Sequence, residues 1–299
     1  MIKNFSQLVN QVKASQNNKI AVAVAQDADV LEALEKARKA DLTDAILVGD
    51  RKKIVRIASM KKIDINRYEI IHVVEEEIAV KTAVDLVRKG NADILMKGLC
   101  STATLMKAVL DKTEGLRRTG LLSHLAIFEI KTYPKLILMS DAALNIAPTL
   151  EEKIAIIENA VSAARKLDIT NPKVAMITAV EKINPEKMPA TADAAVIAKM
   201  AERGQIKGAV IDGPLALDNA FSKKSCEIKG IKSSVGGHTD IAIVPNIESG
   251  NIFYKLMSYL AGAKTAGIII GAKVPIVLTS RADSDETKFL SIAAAAKVC

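Results

Sequence analysis

The chain has 299 residues, 49% of them hydrophobic but only 3% aromatic, and its formal net charge is +8 at pH 7. This length suits one large or two ordinary domains, and scarce aromatics without tryptophan argue against a stacking platform for single-stranded nucleic acid. Short, interrupted apolar runs argue against a membrane span, and three scattered cysteines are too few for a disulfide framework or a zinc site. We therefore expect a cytoplasmic protein with neither a nucleic-acid nor a membrane partner. A polyanionic small molecule as ligand would account for the net positive charge of the chain.

The first half of the chain alternates short β-branched runs with longer helical patterns. Strands are predicted at 20–25, 45–48, 68–74 and 94–96, and helices at 27–40, 51–62 and 75–89. This alternation is typical of a parallel sheet with helices on both faces. The rhythm then changes, because two strand-like segments at 121–130 and 135–139 are joined by a turn.

A long helix at 150–166 opens a second α/β series. Strands are predicted at 173–179, 208–212, 241–244, 268–270 and 276–279, followed by a closing helix at 285–298. We predict an α/β fold with two α/β domains flanking a cleft. Residues 1–144 would form the first domain and 145–284 the second, with the C-terminal helix 285–299 returning to the first.

Polar residues follow five of the predicted strands. They are Lys97, Asp141, Asp212, Asn246 and Ser280. Because ligands of open α/β sheets lie outside the carboxyl ends of the strands, these side chains predict a binding cleft. At the last of these ends, Ser280 and Arg281 place a hydroxyl and a fixed positive charge ahead of a helix N-terminus, which suits an anion.

Long motifs at these points resemble the phosphate acetyl/butyryl transferases. They are Lys97-Gly98 with Ser101-Thr102-Ala103, the stretches 141–149, 212–220 and 245–255, and Ser280-Arg281-Ala282-Asp283-Ser284. The last of them, and Gly-Pro-Leu-Ala-Leu-Asp at 213–218, look more like the phosphate butyryltransferase branch. The resemblance covers essentially the whole chain.

The resemblance implies a fold like that of the isocitrate and isopropylmalate dehydrogenases, and a homo-oligomer. It also implies that a short-chain acyl-CoA, butyryl-CoA first, reacts with phosphate in a ternary complex to give acyl phosphate and CoA. CoA would then be a substrate or product, with no tightly bound cofactor and no metal.

The family's active-site pair matches Ser280 and Arg281. Acetyl-type members carry an aspartate, taken as the base, seven residues after the serine. Here that position is Thr287, so Asp283 and Asp285 are the nearby substitutes, and Asp283 joins the pair as a catalytic candidate. Lys107 falls about where acetyl-type members carry an arginine near phosphate or CoA. The candidate substrate-binding residues are Lys97, Thr102, Lys107, Asn145, Ser249, Gly250 and Asn251.

Each candidate also has a structural interpretation. Ser280 would cap the last helix, Arg281 would form a salt bridge, and Asp283 would be an acid that stabilises the helix dipole. Residues 249–251 would be a plain helix start rather than a phosphate site, and Thr102 and Asn145 ordinary helix-start and turn residues. Rival functions are a phosphate acetyltransferase, a metal- and NAD-dependent dehydrogenase of related fold, and a non-catalytic binding protein.

Overall fold

The computed structural model describes residues 2–13, 18–118, 120–280 and 283–299. The predicted catalytic residue Arg281 therefore lies outside the described residues. The chain divides into two compact units, named here for their place in the sequence. The central unit comprises Met1–Phe5 and Leu121–Thr265, and the terminal unit comprises Ser6–Gly120 and Ala266–Cys299.

The fold is mixed α/β, and most predicted elements are present. In chain order they are α1 (Phe5–Lys13), β1 (Asn18–Ala23), α2 (Ala28–Lys39), β2 (Thr43–Gly49), α3 (Arg51–Met60), β3 (Glu69–His72), α4 (Glu76–Arg88), β4 (Ile94–Lys97), α5 (Thr102–Val109), β5 (Ser123–Glu129), β6 (Ile137–Ser140), α6 (Leu150–Lys166), β7 (Lys173–Ile177), α7 (Pro189–Glu202), β8 (Val210–Leu215), α8 (Leu217–Phe221), α9 (Lys223–Lys229), β9 (Ile241–Ile243), α10 (Ile247–Lys255), β10 (Lys264–Ile270), β11 (Ile276–Val277) and α11 (Asp285–Val298). Within these ranges, none of the helices is both long and apolar enough to span a lipid bilayer.

Strands of the terminal unit lie in the order β3-β2-β1-β4-β11-β10. The pairs from β3 to β11 are parallel, whereas β10 runs antiparallel to β11. Since β2 lies on one side of β1 and β4 on the other, the strand order reverses at β1, and β1 and β4 flank the switch point. In open α/β sheets ligands bind outside the carboxyl ends of the strands at such a point.

Strands of the central unit lie in the order β5-β6-β9-β7-β8. β5 and β6 form the antiparallel pair that the sequence predicts, and β6 pairs in parallel with β9, which places both with the later strands. Asn145, the predicted domain boundary, therefore lies inside the central unit rather than at its edge, because β6 forms its parallel ladder with a strand about a hundred residues later. α11 lies in the terminal unit, with residues 6–120.

The closing helix α11 is buried along most of its length. Residues 288–296 are all buried, and the helix packs against α2. α11 contains four consecutive alanines, Ala293–Ala296, whose small side chains allow close packing. Alanine also has the highest helix propensity. Ser284 begins α11, because its Oγ accepts the Thr287 backbone N–H at 3.2 Å.

Candidate active site

The carboxyl ends of β4 and β11 lie side by side in the terminal unit. Met96 is paired with Val277 in this parallel ladder, and Lys97 is paired with Ala23 of β1 on the other side. The structure therefore brings Lys97 and Ser280, which follow neighbouring strands, to one edge of the sheet next to the switch point. Ser280 is exposed there, whereas Lys97 is buried and its Nζ donates to the Gly98 carbonyl at 3.2 Å.

The turn after β4 is interlocked with the turn after β1. Gly98 N donates to Ala23 O and Leu99 N donates to Val24 O, each at 2.8 Å. Val24 is buried and has a φ of 59°, a left-handed conformation that is unusual for a β-branched residue. A Cβ on Gly98 would lie 2.2 Å from Val24 O, so only glycine permits this approach. Sequence reasoning missed Val24, because nothing local predicts a left-handed valine.

Ser101, rather than Thr102, is the N-cap of α5. Its Oγ accepts the Thr104 backbone N–H at 3.0 Å, and its own N–H donates to Glu76 Oε1 at 3.1 Å. The cap leaves Thr102 exposed at the first position of the helix. The neighbouring Cys100 is buried, and burial raises the pKa of its thiol, which favours the packing role over a reactive one.

Lys107 lies exposed in the last turn of α5. It borders a cavity of about 500 Å³ between α4 and α5, which is also lined by Lys81 and Arg88. Acidic side chains, among them Asp85, line the same cavity, and Asp85 pairs with Arg88. The cavity is therefore of mixed charge.

Ser280 and Asp283, which follow β11, are hydrogen-bonded to each other. The Ser280 backbone N–H donates to Asp283 Oδ2 at 2.7 Å, and the Asp283 N–H donates to Ser280 O at 3.2 Å. Because Ser284 caps α11, the interpretation of Ser280 as the cap is wrong. Thr287, at the position of the expected base, has its hydroxyl 3.2 Å from Ser284 Oγ, and Asp285 is exposed in the first turn of α11.

Asp141 organises the turn after β6 in the central unit. Its Oδ1 accepts the N–H groups of Ala143 and Leu144 at 2.7 and 2.9 Å, and its Oδ2 accepts the His124 N–H at 3.0 Å. Oδ2 also accepts from Asn145 Nδ2 at 2.6 Å, and the same amide donates to Leu122 O at 2.9 Å. Both N–H groups of the Asn145 side chain thus donate within the protein.

α10 begins against this turn. Asn246 is its N-cap, accepting the Ser249 N–H at 3.1 Å and the Ser249 hydroxyl at 2.7 Å. A Cβ on Gly250 would lie 2.2 Å from Asp141 O, so glycine allows the helix to approach the turn. Asn251 Nδ2 donates to Ala142 O at 3.4 Å. These contacts agree with the helix-start interpretation of 249–251.

His124 is buried in β5 beside Asp141. Within the described residues, its Nδ1 has no hydrogen-bond partner. The Tyr254 ring packs edge-on against the imidazole, with 6.1 Å between the two ring centroids. Burial lowers the pKa of His124, because the imidazolium is poorly solvated there, while the Asp141 charge opposes the shift. The apolar residues that follow His124 in the sequence favour a packed role for it.

The predicted site residues therefore form two groups, each at strand ends within one unit. Lys97, Ser280 and Asp283 lie at the ends of β4 and β11, with Thr102 at the start of α5. Asn145, Ser249, Gly250 and Asn251 surround the ends of β6 and β9, which are paired in parallel. Lys107 lies apart from the strand ends, in the last turn of α5.

Comparisons with known proteins agree along nearly the whole chain. A family model described as phosphate acetyl/butaryl transferase matches residues 4–81 and 74–296. The phosphate butyryltransferase of Clostridium acetobutylicum is 50% identical over 298 residues, covering 100% of this chain and 99% of that protein. The phosphate acetyltransferase of Thermotoga maritima is 44% identical over 292 residues, covering 98% and 99%.

A solved structure gives the same result. The branched-chain phosphotransacylase from Enterococcus faecalis V583 superposes with a TM-score of 0.83 at 35% identity, covering 94% of this chain and 99% of that one. Sequence and fold thus point the same way over essentially the full length. The chain belongs to the phosphate acetyl/butaryl transferase family.

Proposed function

We propose that this chain transfers a short acyl group, butyryl first, between CoA and inorganic phosphate. The observation that carries the proposal is its 50% identity, over the full length, to a phosphate butyryltransferase. The 44% identity to a phosphate acetyltransferase favours acetyl-CoA as the second candidate substrate. Family membership favours this reaction over the dehydrogenase and binding-protein alternatives.

The proposed reaction is a direct attack in a ternary complex. A phosphate oxygen bonds to the thioester carbonyl carbon, the carbon–sulfur bond breaks, and the CoA thiolate leaves. Negative charge gathers on the carbonyl oxygen and then on sulfur, so donors aimed at those atoms speed the reaction. The exposed Ser280 hydroxyl at the end of β11 is the proposed donor.

Arg281 is the proposed phosphate-binding residue, on the strength of its sequence motif. A guanidinium is permanently charged and can bind two phosphate oxygens at once. Phosphate is already ionised at neutral pH, so its attack needs no base from the protein. Asp283 therefore fits a positioning role better than that of a base, because its carboxylate accepts the Ser280 backbone N–H.

The remaining site residues stay proposed substrate contacts. Thr102 and Lys107 are exposed on α5, and Lys97 lies buried beside the switch point. In the central unit, Asn145 would offer its Oδ1, and Ser249, Gly250 and Asn251 would contribute the start of α10. The likeness to the isocitrate and isopropylmalate dehydrogenases and the homo-oligomer also stay predictions.

A thiol-release assay tests the proposed function. Acetyl-, butyryl- and hexanoyl-CoA are compared with and without phosphate, and hydroxylamine traps any acyl phosphate as the hydroxamate. We expect release that requires phosphate, with kcat/KM for butyryl-CoA above that for acetyl-CoA by at least about tenfold, since butyryl has two more methylenes than acetyl and each methylene is worth about 1–3 kcal/mol. Release that is independent of phosphate would instead indicate a thioesterase, and no release with any of the three would reject the proposal.

Replacing Arg281 tests the residue on which phosphate binding depends. For Arg281→Gln we expect kcat/KM for phosphate to fall by about a hundredfold or more, because a charged transition-state contact is lost. The matched control is Arg56→Gln, an exposed arginine on α3, which should keep native kinetics. Near-native kcat/KM in Arg281→Gln would remove Arg281 from the mechanism.

A further inference from the structure

Lys288 is a buried cation in the terminal unit. It lies in the first turns of α11, is 3% exposed and is followed directly by buried Phe289 and Leu290. Burying an ammonium costs several kcal/mol unless fixed partners compensate for the lost water. A lysine in this position therefore has partners that account for it.

Among the residues that the structure describes, two hold the Lys288 ammonium. Its Nζ donates to the main-chain carbonyl of Asp283 and lies 3.6 Å from Asp29 Oδ2 on α2. The Asp29 side chain is half exposed, so this ion pair reaches solvent on one side only. Lys288 thus joins α2 and α11 to Asp283, the residue that is hydrogen-bonded to Ser280.

Asp283 transmits this constraint to Ser280 through their hydrogen bonds. Asp283 accepts the Ser280 N–H at 2.7 Å, and it immediately precedes Ser284, the N-cap of α11. With its carbonyl held by Lys288 and its neighbour fixed as the cap, Asp283 has little freedom to rotate. Through its hydrogen bond to Asp283, the backbone of Ser280 is also held in place, while Ser280 itself is exposed after β11.

We propose that Lys288 is a positioning residue for acyl transfer, acting through Asp283 on Ser280. The inference rests on the proposed function, and it extends the site to a residue that need not touch either substrate. A purely structural role gives a different expectation. Its loss would lower stability and turnover together. Because Asp29 is half exposed and its charge stays solvated without a partner, an apolar side chain of similar length in place of Lys288 leaves no buried unpaired charge, so stability and turnover should separate in Lys288→Met.

The experiment compares Lys288→Met and Lys288→Arg with the native chain, with Lys52→Met on α3 as the exposed-lysine control. In Lys288→Met we expect kcat to fall by about ten- to a hundredfold at KM values within about threefold of native, with the thermal midpoint unchanged or raised. Lys288→Arg, which keeps charge and donor, should recover most of kcat. Native kcat in folded Lys288→Met overturns the proposal.

Should Lys288→Met fail to fold, Asp29→Asn decides the question. Changing this half-exposed side chain removes one of the two anchors of the Lys288 ammonium without leaving a cavity. We expect kcat to fall by about three- to tenfold with an unchanged thermal midpoint. A native kcat in Asp29→Asn would then reject the positioning role.

Hydrogen exchange at the Ser280 amide separates this inference from the proposed function, because it needs no substrate. This amide donates to Asp283, so exchange should be faster by about tenfold in whichever of the two variants folds. If the native chain releases no thiol, the proposed function fails, and the exchange rate still decides the role of Lys288. An unchanged exchange rate overturns that role whatever the assay shows.

Discussion

A buried aspartate follows β6 and another follows β11, but the two carboxylates are held in different ways. Asp141, 3% exposed, accepts three main-chain N–H groups and one side-chain amide, and all four donors are neutral. Asp283, 8% exposed, accepts the Ser280 N–H, and its carbonyl receives a buried ammonium. The donors around Asp141 stabilise the local backbone. Asp283 instead connects exposed Ser280 to the ammonium of Lys288, which lies between α11 and α2. A buried carboxylate after a strand is therefore not evidence of a base by itself.

The largest effect that this comparison predicts is on stability in the central unit. Asp141→Ala leaves four donors without their acceptor, and we expect the free energy of unfolding to fall by about 3–5 kcal/mol. Urea unfolding of the variant measures this loss, with Glu158→Ala, an exposed acid on α6, as the control. A loss below about 1 kcal/mol would mean that the donors find other partners.

The next effect distinguishes positioning from proton transfer at Asp283. Asn keeps an oxygen that can accept the Ser280 N–H, so Asp283→Asn should retain kcat within about tenfold and an unchanged pH–rate profile. Asp283→Ala removes the acceptor and should lower kcat by about fifty- to a hundredfold. If Asn is as damaging as Ala and one limb of the profile disappears, Asp283 is a base and the contrast with Asp141 fails.

The smallest effect is a change in pH dependence at His124. Burial holds the pKa of His124 below its usual 6.5, so below that pH the unfolded chain binds a proton that the folded chain does not. The contribution of neutral His124 is thus present above about pH 6.5 and is lost as pH falls. His124→Phe should flatten the slope of unfolding free energy below that pH by up to about 1.4 kcal/mol per pH unit.

Denaturant titrations at a series of pH values measure this slope in the native chain and in His124→Phe. Phenylalanine keeps an aromatic ring beside Tyr254 and removes the Nδ1 atom that has no partner within the described residues. Identical slopes in His124→Phe and the native chain would show that His124 takes up its proton over the same pH range in the folded and unfolded chains.

Periodicity predicted the strands β1 to β11 and the helices α2, α3, α4, α6 and α11, but it did not predict the remaining helices, α1, α5 and α7 to α10. The bounds of α6 and α11 agree with the predicted helices, and the parallel strands β1 to β4 lie within about three residues of their predicted positions. The antiparallel pairing of β10 with β11 was not predicted, because it depends on how a short connection folds back. The sequence also could not predict the unit to which β5 and β6 belong, since this depends on the pairing of β6 with β9, which is distant in the chain.

The candidate site was less predictable from sequence. Ser280 and Ser284 both precede α11, and either could cap it. Only the three-residue spacing from Ser284 to Thr287 indicates that Ser284 is the N-cap. Asp141 opens a motif that the sequence displays, but its four donors come from the fold. Lys288 looks like any helix lysine, and only the apolar run after it hints at burial.

Gly98 and Gly250 suggest a practical marker for more distant relatives. In each unit, a side chain at one of these positions would collide with a carbonyl oxygen 2.2 Å away. A homologue with alanine at either position must have moved that carbonyl, and with it the loop that carries its ligand contacts. In an alignment, a residue other than glycine at either position would therefore indicate that function should not be transferred by sequence similarity alone.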